Sequence, residues 1–289
     1  MILPRFELVE PNTVSQACDI LKHSDRAKVI AGGTDLLVNL KRKVTKADRL
    51  VSLAKIAELR ETGFSDGDSL SVGPMMTIAE IAESAIVRAN FPALHIAAGK
   101  LGSQQIRNRA TIGGNVCTAR PAGDTIGPLI AYGAMAKIGN GTSERSESFE
   151  TLYKGPGQTS IRAEEVLTAV TISKPARGSH GSYIKYTIRN AMEIALVSAT
   201  AVLEMQRGVC RSARVVVGAV APTFVRCPAT EEFLVGKKIT EETAAEAGRL
   251  VVEVCSPITD VRASADYRRR LVQILVKRSL LEAAAKSTN

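Results

Sequence analysis

Apolar positions change their spacing several times along the 289-residue chain, and each change marks an element. RFELV at 5–9 reads as a short strand, and Thr13-Val14-Ser15-Gln16 has the spacing of a helix capping box. Val14, Ala17, Cys18 and Leu21 then recur at helical spacing, which gives one apolar face. AKVIA at 27–31 predicts a second strand, Gly32-Gly33-Thr34 a turn, Asp35 to about Lys43 a helix, and RLVSL at 49–53 a third strand. Residues 1–55 therefore form a strand-turn-helix-strand unit.

Residues 56–176 read as a second unit. Thr77 to Glu80 has capping-box spacing, Pro92 stands where a helix can start, and the glycine-rich stretch ATIGGNVCTARPAGDT follows at 110–125. Lys-Pro-Ala-Arg-Gly-Ser-His-Gly at 174–181 predicts a linker. Beyond it, YIKYTI, ALVSATAVLEM and ARVVVGAV read as three strands, and helical patterns dominate from about 228. Strands followed by helices predict an α+β fold for the third unit, 177–289.

Composition narrows the function classes. No apolar run reaches the roughly 18 residues of a membrane span, and MILPRFELVE lacks the layout of a signal peptide, so the expected compartment is the cytoplasm. Without a secretion signal the glycosylation triplet at Asn140 carries no weight. The net charge of +9 would suit nucleic acid, but the basic residues sit in short groups, tryptophan is absent, and the aromatics are not interleaved with the charges; no nucleic-acid partner is expected. An anionic cofactor or an acidic partner protein accounts for the sign of the charge equally well. The five cysteines are scattered with no CxxC pair, and His23, His95 and His180 lie too far apart to suggest a ligand cluster, so no metal site is expected.

Two glycine sites carry the candidate chemistry. Ala31-Gly32-Gly33-Thr34-Asp35 lies between an apolar strand and a helix start, where backbone N–H groups attract anions and glycine lets the main chain approach a phosphate. Its spacing matches neither the Rossmann fingerprint nor a P-loop, and an ordinary tight turn uses the same residues. Thr111-Ile112-Gly113-Gly114-Asn115 offers a second bare stretch of backbone flanked by hydroxyl and amide groups, with Asp124 following; a glycine turn between two strands is the plainer reading. Together the two sites suit a dinucleotide better than either does alone.

AGGTDLL at 31–37, QIRNRATIGGN at 105–115, KYTIRNAMEIA at 185–195 and GAVAPTFVRC at 218–227, in this order, resemble the flavoprotein subunits of xanthine dehydrogenase and carbon monoxide dehydrogenase. The likeness runs from about residue 3 to residue 285 and is nearest to bacterial xanthine-dehydrogenase-like subunits. It implies a vanillyl-alcohol-oxidase (PCMH) type FAD fold in two subdomains, followed by a C-terminal α+β domain with a three-stranded antiparallel sheet and helices. It further implies that Lys28, Val29, Ile30, Ala31, Gly32, Gly33, Thr34, Asp35 and Leu36 wrap the FAD pyrophosphate. Thr111, Ile112, Gly113, Gly114 and Asn115 would hold its other side, with Leu101 and Asp124 near the cofactor. Leu167 would pack at the adenine end, Lys185 would lie at the pyrimidine edge of the ring, and Ile194 would cover the ring. A cation at that edge would stabilise reduced flavin.

The resemblance implies FAD held without a covalent tether, since neither glycine site contains a histidine and Cys117 is the one thiol nearby. It also implies partner subunits that carry iron-sulfur clusters and a molybdenum cofactor, with electrons leaving to NAD or another acceptor. Where some relatives have acidic residues before the Ile-Ala pair, this chain reads Ala191-Met192-Glu193, so contacts to a nicotinamide do not carry over. A nucleotide-binding regulatory or assembly module of the same fold is the rival reading.

Overall fold

The computed structural model describes residues 2–65, 68–189 and 192–286. The first sheet is parallel and three-stranded, with Arg49–Ser52 between Glu7–Val9 and Ala27–Ile30. Helix Val14–Lys22 buries Ala17, Cys18 and Leu21 against Val51, Leu53 and Ile56, the face that the helical spacing marks. Thr13 caps this helix by accepting from the Gln16 amide, but the Gln16 side chain takes the amide of Asn12, one residue outside the box. The second helix spans Leu36–Lys41, shorter than the expected Asp35 to Lys43, because Lys43 turns to a φ of +59°.

A five-stranded antiparallel sheet follows, in the order Thr62–Ser65, Ser69–Val72, Val166–Ser173, Met135–Gly139 and Glu144–Ser148. The capping box at Thr77 is complete, with Glu80 Oε2 accepting the Thr77 amide at 2.7 Å, and Pro92 opens the helix Pro92–Lys100. These helices and the sheet enclose the largest apolar core, to which Phe91, Leu94, Ile112, Val116, Ile126 and Phe149 contribute.

The last sheet is antiparallel, in the order Ser179–Tyr186, Val197–Gln206, Val209–Gly218 and Val225–Arg226. Its first strand begins at Ser179, inside the stretch read as linker, and the two-residue strand Val225–Arg226 adds a fourth to the three that the sequence predicts. Val197 through Leu203 are all buried, as befits a central strand covered on both faces. Helix Ala265–Ala285 covers one face with Leu271, Val272, Leu275, Val276, Leu280 and Ala283, and helix Ile126–Ala131 of the preceding layer lies against the same strands. The glycine-rich stretch is not a strand connection. It forms the helix Ile112–Thr118, which tertiary packing sustains against the poor helix propensity of Gly113 and Gly114.

Candidate cofactor-binding site

The first glycine motif sits between the strand Ala27–Ile30 and the helix Leu36–Lys41. Gly33 has a φ of +74°, which glycine adopts without steric cost, and its carbonyl accepts the Leu37 amide at 3.0 Å to start the helix. The amides of Gly33, Thr34, Asp35 and Leu36 meet no acceptor among the described residues, and the Asp35 side chain makes no capping bond. Consecutive open N–H groups concentrate partial positive charge and suit a phosphate. Val29 through Thr34 and Leu36 are half-buried, while Lys28 and Asp35 are exposed, so this loop borders solvent.

Gly32 explains how the two motifs meet. A Cβ at this position would stand 1.9 Å from the Arg109 carbonyl oxygen and 3.0 Å from the Ala110 Cα, so only glycine lets the two backbones touch. From Ala110 the chain runs straight into Thr111–Asn115. There the amides are already used. Ile112 donates to the Met76 carbonyl and Gly113 to that of Pro74, both at 2.9 Å. Gly114 donates to Thr111 Oγ1 at 3.0 Å and Asn115 to the Thr111 carbonyl. A Cβ on Gly113 would stand 2.6 Å from Pro74 Cβ, whereas one on Gly114 would meet nothing nearer than Thr111 Oγ1 at 3.0 Å, so Gly114 presents the open side. Cys117, on the same helix, is exposed and free.

Asn115 Oδ1 accepts from the Thr125 hydroxyl at 2.7 Å, which ties the second motif to Asp124. Asp124 in turn meets Lys185, with Lys185 Nζ 3.0 Å from the carboxylate, and both side chains are more than nine-tenths buried. The Tyr183 hydroxyl donates to Asp124 Oδ1 at 2.6 Å, and Lys185 Nζ also donates to the Lys100 carbonyl. Burial pushes the Asp124 carboxyl up against the opposing pull of Lys185, Tyr183 and Lys100. Lys185 is therefore paired with a buried carboxyl group at the position where the resemblance implies a cation. Tyr183 and Lys185 lie two apart on one strand and therefore on one face, a spacing from which Tyr183 is legible in YIKY. A cavity of about 470 Å³ adjoins this pair, lined by Lys100, Gly102, Gln104, Arg107, Lys185 and Thr187. Lys100 and Thr187 carried no role in the sequence reading.

Leu101, Ile112 and Leu167 belong to one apolar core behind the site and are at most 8% exposed. Ile194 is 59% exposed on the segment that joins two strands of the last sheet. Met192, in the same segment, directs its amide to the Gly102 carbonyl at 3.4 Å, beside the cavity. Asn190 and Ala191 of the quoted motif lie outside the described residues.

Residues 4–175 match the family described as the FAD binding domain in molybdopterin dehydrogenase, and residues 182–283 match the CO dehydrogenase flavoprotein C-terminal domain. The chain belongs to the FAD-binding subunits of the xanthine and CO dehydrogenase family. It is 30% identical over 274 residues to a xanthine dehydrogenase FAD-binding subunit of Escherichia coli O157:H7, covering 94% of each chain. Among solved structures it is similar to quinoline 2-oxidoreductase from Pseudomonas putida 86, with a TM-score of 0.95, 33% identity and full coverage of both chains. A carbon monoxide dehydrogenase from Hydrogenophaga pseudoflava that lacks the Mo-pyranopterin moiety also superposes with a TM-score of 0.95, at 30% identity over 99% of each chain. An FAD-binding subunit of this family is a molybdenum-hydroxylase flavoprotein, and FAD is its cofactor. The residues present fit that group, since the open amides and the bare face of Gly114 leave backbone for a pyrophosphate. Among the described residues no helix is long and apolar enough to cross a membrane.

Proposed function

We propose that this chain is the electron-transfer flavoprotein of a heteromeric molybdenum hydroxylase, receiving electrons from an iron-sulfur subunit and releasing them to NAD or another acceptor. The observation that carries the reading is the meeting of the two glycine motifs at Gly32, which sets four amides without an acceptor among the described residues beside a helix whose first four amides are all bonded. On this reading Gly33, Thr34, Asp35 and Leu36 bind the pyrophosphate through main-chain N–H groups, with Lys28 through Gly32 shaping the approach. Thr111 through Asn115 form the opposite wall through the Thr111 and Asn115 side chains and the bare Gly114. Leu101 and Leu167 support that wall from the core. Lys185, Asp124 and Tyr183 fix a polar edge for the flavin ring, and Ile194 covers it. Bound without a covalent tether, FAD supplies the capacity to take electrons from one partner and pass them to another. Oxidation of the organic substrate belongs to the molybdenum-carrying partner.

The test is reconstitution. The purified chain with its iron-sulfur and molybdenum partners is expected to show substrate-dependent bleaching of flavin absorption, and the chain alone is expected to show none while still being bleached by a chemical reductant. Substrate oxidation by this polypeptide alone, or the absence of bound flavin, would overturn the reading and favour a regulatory module of the same fold.

A further inference from the structure

Residues 187–189 leave the strand Ser179–Tyr186 and residues 192–195 lead into Val197–Gln206, and the two strands are tied at this end by the Leu196 amide donating to the Tyr186 carbonyl at 2.9 Å. Ile188, Met192 and Ile194 are more than half exposed, and apolar burial begins only at Ala195 and Leu196, each 1% exposed. A polar group holds that end as well. Arg268, in the first turns of the helix Ala265–Ala285, is 2% exposed, and its Nη1 donates to the Leu196 carbonyl at 2.6 Å. The same nitrogen lies 3.5 Å from the Ala219 carbonyl, and Nη2 donates to Asp260 Oδ1 at 2.9 Å.

Each partner leads elsewhere. Ala219 has a φ of +61°, unusual for a residue with a side chain, and its amide donates to the Pro121 carbonyl at 2.8 Å, three residues before Asp124. Asp260 is itself fixed by the amides of Arg262 and Ala263 and by the Arg262 guanidinium. One buried guanidinium thus joins Leu196, where residues 192–195 enter their strand, the end of a neighbouring strand and an anchored carboxylate. A planar group with donors at fixed angles can hold such an arrangement, and a lysine cannot reproduce it.

We propose that Arg268 is a positioning residue of the flavin site. By holding the Leu196 and Ala219 carbonyls it sets how residues 192–195 lie beside the Lys185 cavity, where the Met192 amide meets the Gly102 carbonyl, and how the Pro121–Asp124 stretch presents Asp124. The inference rests on the reading that this cavity takes the flavin ring, and it adds a residue outside both glycine motifs and outside every motif of the sequence reading.

The test uses the full-length chain loaded with FAD and three variants: Arg268→Met, Arg268→Lys, and Leu275→Ala as a control in the same helix. Leu275 is buried in the C-terminal core away from the site, so its truncation lowers thermal stability without touching these carbonyls. Arg268→Met is expected to weaken FAD binding about tenfold and to shift the flavin absorption bands, while Leu275→Ala lowers the melting temperature and leaves both unchanged. Arg268→Lys is expected to show a smaller loss of the same kind, and it decides the question alone if Arg268→Met does not fold. Wild-type affinity and unshifted bands in a folded Arg268 variant would overturn the proposal. A wild-type chain that takes up no FAD would overturn the flavin reading, and this inference with it.

Discussion

The two glycine motifs resemble each other as strings of residues and differ as physical objects. At 31–36 the backbone turns through a left-handed glycine and leaves the four amides of residues 33–36 without an acceptor among the described residues. At 111–115 the amides of Ile112, Gly113, Gly114 and Asn115 all donate to protein oxygens. The difference lies in the neighbours. The second motif runs beside the loop Gly73–Met76, whose carbonyls receive two of its donors, whereas among the described residues no acceptor takes the amides of residues 33–36, although the Arg109 carbonyl lies against Gly32. One motif therefore has hydrogen-bonding capacity to give a ligand, and the other gives the shape against which the first is held. Paired glycines in a sequence mark close approach of backbone, and what approaches is decided by the rest of the fold.

Gly32→Ala should break the arrangement most severely, because its methyl would overlap the Arg109 carbonyl. Backbone cannot yield as a side-chain tip can, so the cost is expected to be on the order of 3 kcal/mol in stability. Separation of the two motifs should reduce FAD affinity by roughly a hundredfold, about 2.7 kcal/mol. Calorimetry and flavin titration of the same preparation check both effects, and an Ala variant with wild-type melting and affinity would show that the motifs need not touch. Gly114→Ala lies at the other extreme. Its added methyl meets one hydroxyl oxygen at 3.0 Å in the first turn of a helix, where alanine is favoured over glycine by up to about 1 kcal/mol. Melting temperature should be unchanged or slightly raised while FAD affinity falls a few-fold; a destabilised variant with wild-type affinity would mean that this glycine serves packing alone.

The fold is legible wherever the signal is local. The Thr77–Glu80 box and Pro92 at a helix start appear as read, and the three long C-terminal strands are present with shifted bounds, the first starting at Ser179 inside the stretch read as linker. The helix Ile112–Thr118 is not legible, because its two glycines oppose it and its support comes from Pro74 and Met76, almost forty residues earlier. The same holds in the site. Glycine is visible in the sequence at 32, but the carbonyl it must accommodate belongs to Arg109. Asp124 and Lys185 are both indicated by the family resemblance, yet nothing local announces that they pair across a separation of 61 residues. Arg268 reads as one of three consecutive arginines on a basic helix, and only its burial separates it from Arg269 and Arg270.

The central claim is that the open amides of the first motif bind a pyrophosphate, and the most direct measurement compares FAD with FMN on the flavin-free chain. The two share the isoalloxazine ring and differ in whether a second phosphate and an adenosine follow. Titration followed by flavin fluorescence is expected to give FAD an affinity higher by at least about a hundredfold, roughly 2.7 kcal/mol, with all the bound flavin released on denaturation in acid. Equal affinities would contradict the account, because they would place the recognition at the ring and leave the loop at Gly33 without a role in binding.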